Sequence, residues 1–285
     1  MVKRYIDIVK IEGPIPSAPI NVMDKQINLE PDFSIPLDVV YEDSNIIVLN
    51  KQSGISVHPS VNEPNKTLVN ALIAKYPDIK NVGDSSTSLE QENLRPGIVH
   101  RLDKDTSGLL VVARNQNTFE FLKNEWQEGR VIKKYLALVW GHFKSEEGRV
   151  ESELARSPKD FRKRVVVKPG KNALVGKLAV TEYKVIKKLK DFSLVEVFPK
   201  TGRMHQIRVH MASTGHPVVG DKVYGKSKPA RHASQGDAGG EVPEGLHRQF
   251  LHAYYLSFSL PSGKGLALEA DLPNDLKQVL TKLEK

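Results

Sequence analysis

The sequence predicts an α+β fold, because strand-like segments are interspersed with a few helix-like segments and the two do not alternate regularly. No internal repeat is present along the chain. The 285 residues, of which 39% are hydrophobic and 27% charged, can bury a substantial core in one large or two ordinary domains.

The first 36 residues lack regular periodicity and are interrupted by five prolines. We interpret residues 1–36 as an extended arm, since proline breaks both helices and strand ladders. The folded domain is therefore expected over residues 37–285.

The first part of this domain combines short strands with one helix. Residues 45–51 form an apolar, β-branched run that is typical of a buried strand. Leu68, Ala71, Leu72 and Tyr76 recur at helical spacing. The predicted elements are strands over 37–41 and 45–51, a helix over 67–76 and a polar loop over 77–93.

A polar turn separates two apolar, β-prone runs at 97–102 and 109–113. Carboxylates, hydroxyls and a glycine between two strands form a rigidly held loop, which is a common location for chemistry. The alternative is an ordinary turn in which Asp105 bonds its own backbone and Gly108 supplies a positive φ. The pattern alone leaves both interpretations open.

The remaining elements follow the same two periodicities. Phe119, Leu122 and Trp126 lie on one stripe of a helix over 117–129. The strand over 131–140 alternates, so that Tyr135 and Val139 share a face. The other predicted elements are strands over 150–154, 164–168, 179–187, 193–198, 251–260 and 266–270, helices over 204–214 and 274–283, and a flexible insertion over 225–248.

Composition excludes several classes of protein. The absence of cysteine excludes disulfides, thiolate nucleophiles and cysteine–zinc sites. No apolar run approaches the roughly 20 residues of a membrane span, and the start of the chain lacks the apolar core and cleavage site of a signal peptide. We therefore expect a cytoplasmic protein without a membrane partner.

A net charge of +8 and an isoelectric point near 9.4 favour a polyanionic partner, because Lys and Arg release counterions when they meet phosphates. The basic residues are concentrated in two clusters. Each cluster is either a nucleic-acid surface or simply a solvated face. The clusters are Arg156, Lys159, Arg162, Lys163, Arg164, Lys168 and Lys171, and Lys222, Lys226, Lys228 and Arg231.

Residues 220–227 (GDKVYGKS) match a phosphate-binding loop, but that loop requires a helix N-terminus directly after it. Pro229 and a glycine-rich stretch follow instead, so nucleotide hydrolysis is not expected. His205, His210 and His216 do not have a metal-ligand spacing, and no metal is expected. A serine hydrolase lacks its G-x-S-x-G motif.

Four segments occur in a characteristic order: 100–108 (HRLDKDTSG), 133–137 (KKYLA), 201–210 (TGRMHQIRVH) and 250–253 (FLHA). Together they resemble the motifs of RluA/RluC/RluD-type RNA pseudouridine synthases, and 215–221 (GHPVVGD) also resembles part of that family. The resemblance implies the catalytic fold of those enzymes, a mixed, mostly antiparallel bent central sheet with flanking helices. Larger members carry a helical RNA-binding module ahead of that domain, and residues 1–36 are too short for a complete one.

The implied reaction breaks the N1–C1′ bond of uridine, turns the uracil and rejoins it through C5, which requires no cofactor. An ionised carboxylate near C1′ can attack that carbon or act as a base at C2′. Spacing does not distinguish Asp103 from Asp105. The resemblance assigns catalysis to Asp103, the aspartate that directly follows Arg-Leu.

The resemblance also implies substrate-binding roles for Arg101, Tyr135, Arg208 and Leu251. Arg101 would contact RNA near the vacated base stack, and Tyr135 would meet the flipped uracil. Arg208 would pair with the catalytic aspartate, and Leu251 would form an apolar wall. By pattern alone, Tyr135 and Leu251 are core residues and Arg208 faces solvent or a phosphate.

The implied partner is RNA, and we expect the protein to act as a monomer. Residues 94–100 (LRPGIVH) resemble members that modify large-subunit ribosomal RNA, and tRNA is the alternative substrate. Two other functions stay open: an RNA-binding protein that has lost catalysis, and a glycosidic hydrolase that uses Asp103 with Asp105. Product analysis separates the three.

Overall fold

The structure is a computed structural model that describes residues 29–60, 63–83, 94–168, 170, 174–225 and 241–285. Most of the predicted arm (1–36) and the middle of the predicted insertion (225–248) lie outside these ranges. The end of the arm packs on the first helix, where the amide of Asn70 donates to the carbonyl of Glu30 at 2.7 Å.

The described part of the chain contains ten strands, four α-helices and a short 3₁₀ helix. The strands are β1 (Val39–Glu42), β2 (Ile46–Lys51), β3 (Ser107–Ala113), β4 (Ile132–Trp140), β5 (Glu147–Arg156), β6 (Arg164–Val166), β7 (Lys177–Lys188), β8 (Phe192–Pro199), β9 (Leu251–Ser259) and β10 (Gly265–Glu269). The helices are α1 (Leu68–Lys75), α2 (Gln116–Gln127), α3 (Gln206–Ser213), α4 (Asn274–Leu283) and the 3₁₀ helix Pro77–Asn81.

All ten strands belong to one sheet, in the order β1-β2-β3-β9-β4-β8-β7-β5-β6, with β10 paired to β9. Every pairing is antiparallel except the short parallel contact of β3 with β9. A mixed, mostly antiparallel sheet with helices confirms the predicted α+β class.

Gly108 makes the parallel contact possible. Its φ of 119° is in the region that favours glycine, as the turn interpretation predicted, and a Cβ there would lie 2.2 Å from the carbonyl oxygen of Ala253. A larger residue would therefore separate β3 from β9. Both strands begin beside the polar turn of residues 103–106.

The two faces of the sheet bury separate cores. In strand β2, Ile47 and Leu49 pack on the α1 side, whereas Ile46 and Val48 pack on the α2 side. Burial of each of these side chains contributes roughly 1.5–3 kcal/mol. The alternation predicted for β4 is also present: Val139 packs with residues of α3 and Leu138 with residues of α4.

Three predicted elements were wrong in detail. Residues 97–102 are not a strand, because Pro96 and Gly97 turn the backbone (φ of Gly97 is 68°), and only Ile98 bridges to Val112. The predicted loop over 77–93 begins with the 3₁₀ helix, which has proline at its first position.

The helix predicted over 204–214 begins later, at Gln206. His205, with φ of 57°, has a left-handed backbone that cannot continue a helix toward the N-terminus. The side chain of Gln206 accepts hydrogen bonds from the backbone of Arg203 and the hydroxyl of Thr201 (3.0 and 2.6 Å) and thereby holds the turn ahead of α3.

Candidate active site

A cleft of about 290 Å³ opens where the turn before β3 meets β4, α3 and the start of β9. All five side chains that the sequence analysis singled out line it: Arg101, Asp103, Tyr135, Arg208 and Leu251. These residues come from four separate stretches of sequence. The fold therefore assembles in one place what the motifs predicted separately.

The backbone of the turn fixes the position of Asp103. The amide of Thr106 donates to the carbonyl of Asp103 at 3.0 Å, and the amide of Gly54 donates to the carbonyl of Lys104 at 2.9 Å. The side chain of Asp103 is 18% exposed, so most of it is buried in the wall of the cleft and a small part faces the cleft. A rigid loop of this kind presents a reactive group without a large entropic cost.

Arg208 joins the carboxylates of Asp103 and Asp221. Its Nη1 donates to Oδ2 of Asp103 at 2.8 Å, and its Nε and Nη2 donate to the two oxygens of Asp221 at 2.7 and 2.9 Å. Burial opposes the charge of Arg208, but these bonds and the two negative charges raise its pKa. Arg208 therefore remains a cation that orients Asp103.

Asp221 was not identified from the sequence as a functional residue. Burial alone would raise its pKa, yet the bonds from Arg208 and from the amides of Val223 and Tyr224 lower it. Asp221 is the second residue of the phosphate-loop-like pattern at 220–227. The described residues of the pattern, 220–225, lie outside helices and strands, and Asp221 accepts hydrogen bonds from Arg208.

Tyr224 covers the other side of Arg208. Its ring centroid lies 5.2 Å from Cζ of Arg208, and its hydroxyl accepts from the backbone amide of Arg164 at 2.8 Å. The same hydroxyl lies 2.9 Å from Nδ1 of His205, whose Nε2 is 3.9 Å from Asp103. Burial is the main cause that lowers the pKa of His205, so a neutral imidazole stands beside Asp103.

Tyr135 stands on β4 at an irregularity in its pairing with β9. Lys134 pairs with Tyr255 and Tyr135 with Ala253, so one residue of β9 is skipped. Burial, and secondarily the charge of Asp103, raises the pKa of Tyr135. Its phenol is therefore neutral at physiological pH and lies near Asp103. Leu251, at the start of β9, supplies a buried apolar wall.

Lys51 supports the turn from below, a role that sequence reasoning missed. Its buried ammonium donates to the carbonyls of Gln52, Ile55 and Lys104 at 2.7, 2.9 and 3.0 Å. Burial lowers the pKa of Lys51 to about 7, and the negative charges of Asp103 and Asp105 oppose that shift. All three N–H donors of the Lys51 ammonium thus bind backbone carbonyls around the turn.

Arg248 holds the turn from the other side. Its guanidinium donates to the carbonyl of Asp105 at 3.1 Å, to the hydroxyl of Ser107 at 3.2 Å and to the carboxylate of Asp275 at 2.7 Å. Gln249 adds a bond to the hydroxyl of Thr106 at 3.0 Å. The turn is therefore fixed both by β2 and by the segment that leads into β9.

Two further findings concern all the residues that the structure describes. Within the described ranges, no group of three or more His, Asp and Glu side chains is placed to hold a metal ion. Among the same residues, no helix is long and apolar enough to cross a bilayer.

The fold and the cleft, together with the matching sequence pattern, define an RNA-modifying isomerase. The pattern of the RNA pseudouridylate synthase family matches residues 45–213, and the chain belongs to that family. It is thus a pseudouridine synthase, which confirms the resemblance seen in the motifs.

Named relatives and a solved structure support the same family. The chain is 40% identical over 282 residues to the ribosomal large subunit pseudouridine synthase D of Zymomonas mobilis, covering 98% of the chain and 80% of the relative. It is 41% identical over 249 residues to the protein of the same name in Neisseria meningitidis serogroup B, covering 87% and 61%. Human RNA Pseudouridylate Synthase Domain Containing 1 shares the fold with a TM-score of 0.61 at 25% identity, covering 90% and 97%.

Proposed function

We propose that this enzyme isomerises specific uridines of structured RNA, most directly large-subunit ribosomal RNA, with Asp103 as its catalytic residue. One observation carries the proposal: Arg208 holds the carboxylate of Asp103 at the wall of a cleft that Tyr135 and Leu251 also line. The names of the relatives in Zymomonas mobilis and Neisseria meningitidis support the ribosomal substrate. Transfer RNA is the second candidate.

The uridine enters the cleft by base flipping, because a stacked nucleotide cannot present C1′ to a carboxylate inside a protein wall. Arg101, which is exposed at the lining of the cleft, contacts the RNA next to the position that the base has left. Leu251 gives the uracil an apolar surface, and the ring of Tyr135 gives it an aromatic one. The cleft thus retains the base after it has separated from the sugar.

Asp103 begins the reaction by attacking C1′ or by removing a proton from C2′, and both routes break the N1–C1′ bond. The uracil then turns and C5 bonds to C1′. On the first route this bond displaces the carboxylate of Asp103 from C1′, and on the second route Asp103 returns the proton to C2′. C5 loses its proton and N1 gains one, so the product is an isomer and the reaction consumes no cofactor. Arg208 keeps the carboxylate of Asp103 oriented throughout, through its charge-assisted hydrogen bond.

Tyr135 takes part in the proton transfer at C5. The raised pKa of Tyr135 means that its hydroxyl is protonated. It therefore acts as a relay that accepts one proton while it donates another. We further propose that residues 37–285 form the catalytic domain and that the enzyme works as a cytoplasmic monomer.

The test uses transcripts of large-subunit rRNA and of tRNA that carry tritium at C5 of uridine. The wild type should release tritium from the rRNA and form pseudouridine, detected after nuclease digestion. Asp105→Asn is the matched control, because it changes the neighbouring carboxylate and should keep most of the activity, whereas Asp103→Asn should lose it.

Other products would contradict the proposal. Free uracil and an abasic site would indicate a hydrolase, and tight binding to unchanged RNA would indicate a protein without catalysis. Release of tritium from the tRNA alone would replace the ribosomal substrate by the second candidate. Mapping of pseudouridine across cellular RNA, with and without the protein, then identifies the modified positions.

A further inference from the structure

The hairpin between β5 and β6 carries a concentration of positive charge. We call residues 156–164, from the end of β5 to the start of β6, the basic hairpin. Five of its nine residues are basic: Arg156, Lys159, Arg162, Lys163 and Arg164. Its single acidic residue, Asp160, is paired with Arg162 at 3.0 Å. The hairpin therefore keeps a large positive excess, which suits a phosphate backbone.

The turn at the end of the basic hairpin is well ordered. The amide of Lys163 donates to the carbonyl of Asp160 at 2.9 Å, and the amide of Ser157 donates to the carbonyl of Lys163 at 3.0 Å. The carboxylate of Asp160 accepts from the amide of Arg162 at 3.1 Å. Residues 157–163 are thus held in one conformation before any ligand binds, which reduces the entropic cost of binding.

This ordered turn presents an aromatic ring to solvent. Phe161 is 65% exposed, although seven of the nine phenylalanines of the chain are buried or half-buried. The other exposed one, Phe33, lies between the acidic residues Glu30 and Asp32 on one side and Ser34 on the other. The two exposed rings therefore have opposite electrostatic surroundings, and only Phe161 combines a free ring face with positive charge.

The basic hairpin stands next to the cleft. The backbone amide of Arg164 bonds to Tyr224, which covers Arg208, and Arg208 holds Asp103. Arg156 and Arg164 are paired opposite each other across β5 and β6, and Arg101 lines the cleft. Burial lowers the pKa of Arg164, and the positive charges of Arg156 and Arg101 lower it further. Phe161 is three residues from Arg164, a span of at most about 10 Å. A band of positive charge thus leads from the cleft to Phe161.

We propose that the basic hairpin binds the RNA strand beside the target uridine and that Phe161 stacks on one of its bases. Single-stranded nucleic acid is bound by this combination, in which cations follow the backbone and an aromatic ring meets a base regardless of its identity. The inference rests on the proposed function, because an enzyme that flips a uridine also has to hold the nucleotides next to it. Phe161 is a binding residue and does not contact the reacting atoms.

The experiment measures binding of a fluorescein-labelled, unstructured RNA 15-mer and of heparin, a polyanion without bases. Phe161→Ala should weaken RNA binding about tenfold, since stacking contributes at this scale, and leave heparin binding unchanged. Phe161→Trp should bind RNA as the wild type does. Phe33→Ala is the matched control and should bind both ligands normally.

Salt dependence separates stacking from charge. Phe161→Ala should keep the slope of log affinity against log salt, whereas Arg156→Gln should reduce its magnitude by roughly 0.7, the effect of one lost phosphate contact on a single strand. RNA affinity of Phe161→Ala equal to that of the wild type, or an equal loss for RNA and heparin, would overturn the proposal. Thermal melting of each variant shows that the fold is kept.

Turnover distinguishes this inference from the proposed function. On a transcript that the wild type modifies, Phe161→Ala should raise KM about tenfold and keep kcat at saturating RNA. Formation of pseudouridine with an unchanged KM in the variant would refute the stacking contact alone. Weaker RNA binding by the variant, with no pseudouridine formed by the wild type, would refute the proposed function alone.

Discussion

Asp103 and Asp221 share one cation, but their surroundings differ in every other respect. Asp221 has a side chain with no exposed surface and accepts four hydrogen bonds, two from Arg208 and two from backbone amides. Asp103 is partly exposed, and one bond from Arg208 reaches its carboxylate. A saturated carboxylate fixes a guanidinium, whereas an unsaturated one keeps lone pairs for chemistry. The comparison supports an anchoring role for Asp221 and the reactive role proposed for Asp103.

The largest effect is expected for Asp103→Asn. The amide keeps the size of the side chain but is a poor nucleophile and base, so turnover should fall at least about 10³-fold. RNA affinity should stay within several-fold of the wild type, because the shape of the cleft is retained. Single-turnover tritium release and RNA titration measure the two quantities. Substantial turnover by this variant would contradict the reactive role.

Asp221→Asn should act mainly on stability. It leaves the buried charge of Arg208 without its bidentate partner, a change that costs about 3–5 kcal/mol in comparable buried pairs. Urea unfolding of this variant and of Asp103→Asn gives a direct contrast, since the second should lose far less. The comparison between the two aspartates fails if both variants unfold at the same urea concentration.

Lys51, which supports the turn that carries Asp103, should make the free energy of unfolding depend on pH. Below about pH 7 the folded and unfolded states both carry the proton of Lys51. Between about 7 and its ordinary pKa of 10.5, only the unfolded state carries it, so stability rises with pH. This rise should amount to about 2 kcal/mol between pH 7 and 9.

Lys51→Met isolates that contribution. The variant loses three hydrogen bonds and is less stable throughout, but its stability should lack the rise above pH 7. Urea unfolding at several pH values, taken as the difference between the wild type and the variant, removes the titration of all other groups. Parallel curves for the two proteins would show that Lys51 keeps its proton in the folded state.

The smallest effect is expected for Tyr224→Phe. The ring over Arg208 is retained, but the amide of Arg164 and Nδ1 of His205 lose their partner oxygen. The cost should be about 1 kcal/mol of stability. A larger decrease in kcat than in stability would show that His205 depends on Tyr224 for its position beside Asp103. Activity and stability equal to those of the wild type would show that Tyr224 does not help to hold Arg208 and His205 in place.

The sequence predicted the parts of the molecule that local pattern controls. The bounds of α4 agree with the structure, because four apolar residues at helical spacing define it, and the alternation of β4 correctly separated Val139 from Leu138. Residues 97–102 have the same apolar character as a strand. The turn at Pro96 and Gly97 prevents a strand there although the apolar pattern favours one. The pattern alone does not show which of these two effects is stronger.

The missed residues act across long separations. Lys51 reaches the carbonyl of Lys104, 53 residues away, and Arg248 reaches that of Asp105, 143 residues away. A lysine at the end of an apolar strand shows no sign of burial. Asp221 had one available signal, its place in the family-like segment 215–221, but its spacing to Arg208 is no more informative than that of many other pairs of charged residues.

The contact of Gly108 with Ala253 has a consequence for the order of assembly during protein synthesis. Ser107 and His252, at this contact, are separated by 145 residues, and β9 lies between β3 and β4 in the sheet. A nascent chain that has emerged from the ribosome only as far as β8 has neither Leu251 nor Arg248, and it has no strand to fill the middle of its sheet. Pairings of such high contact order form slowly. The newly made enzyme is therefore expected to be inert toward RNA until β9 has been released from the ribosome.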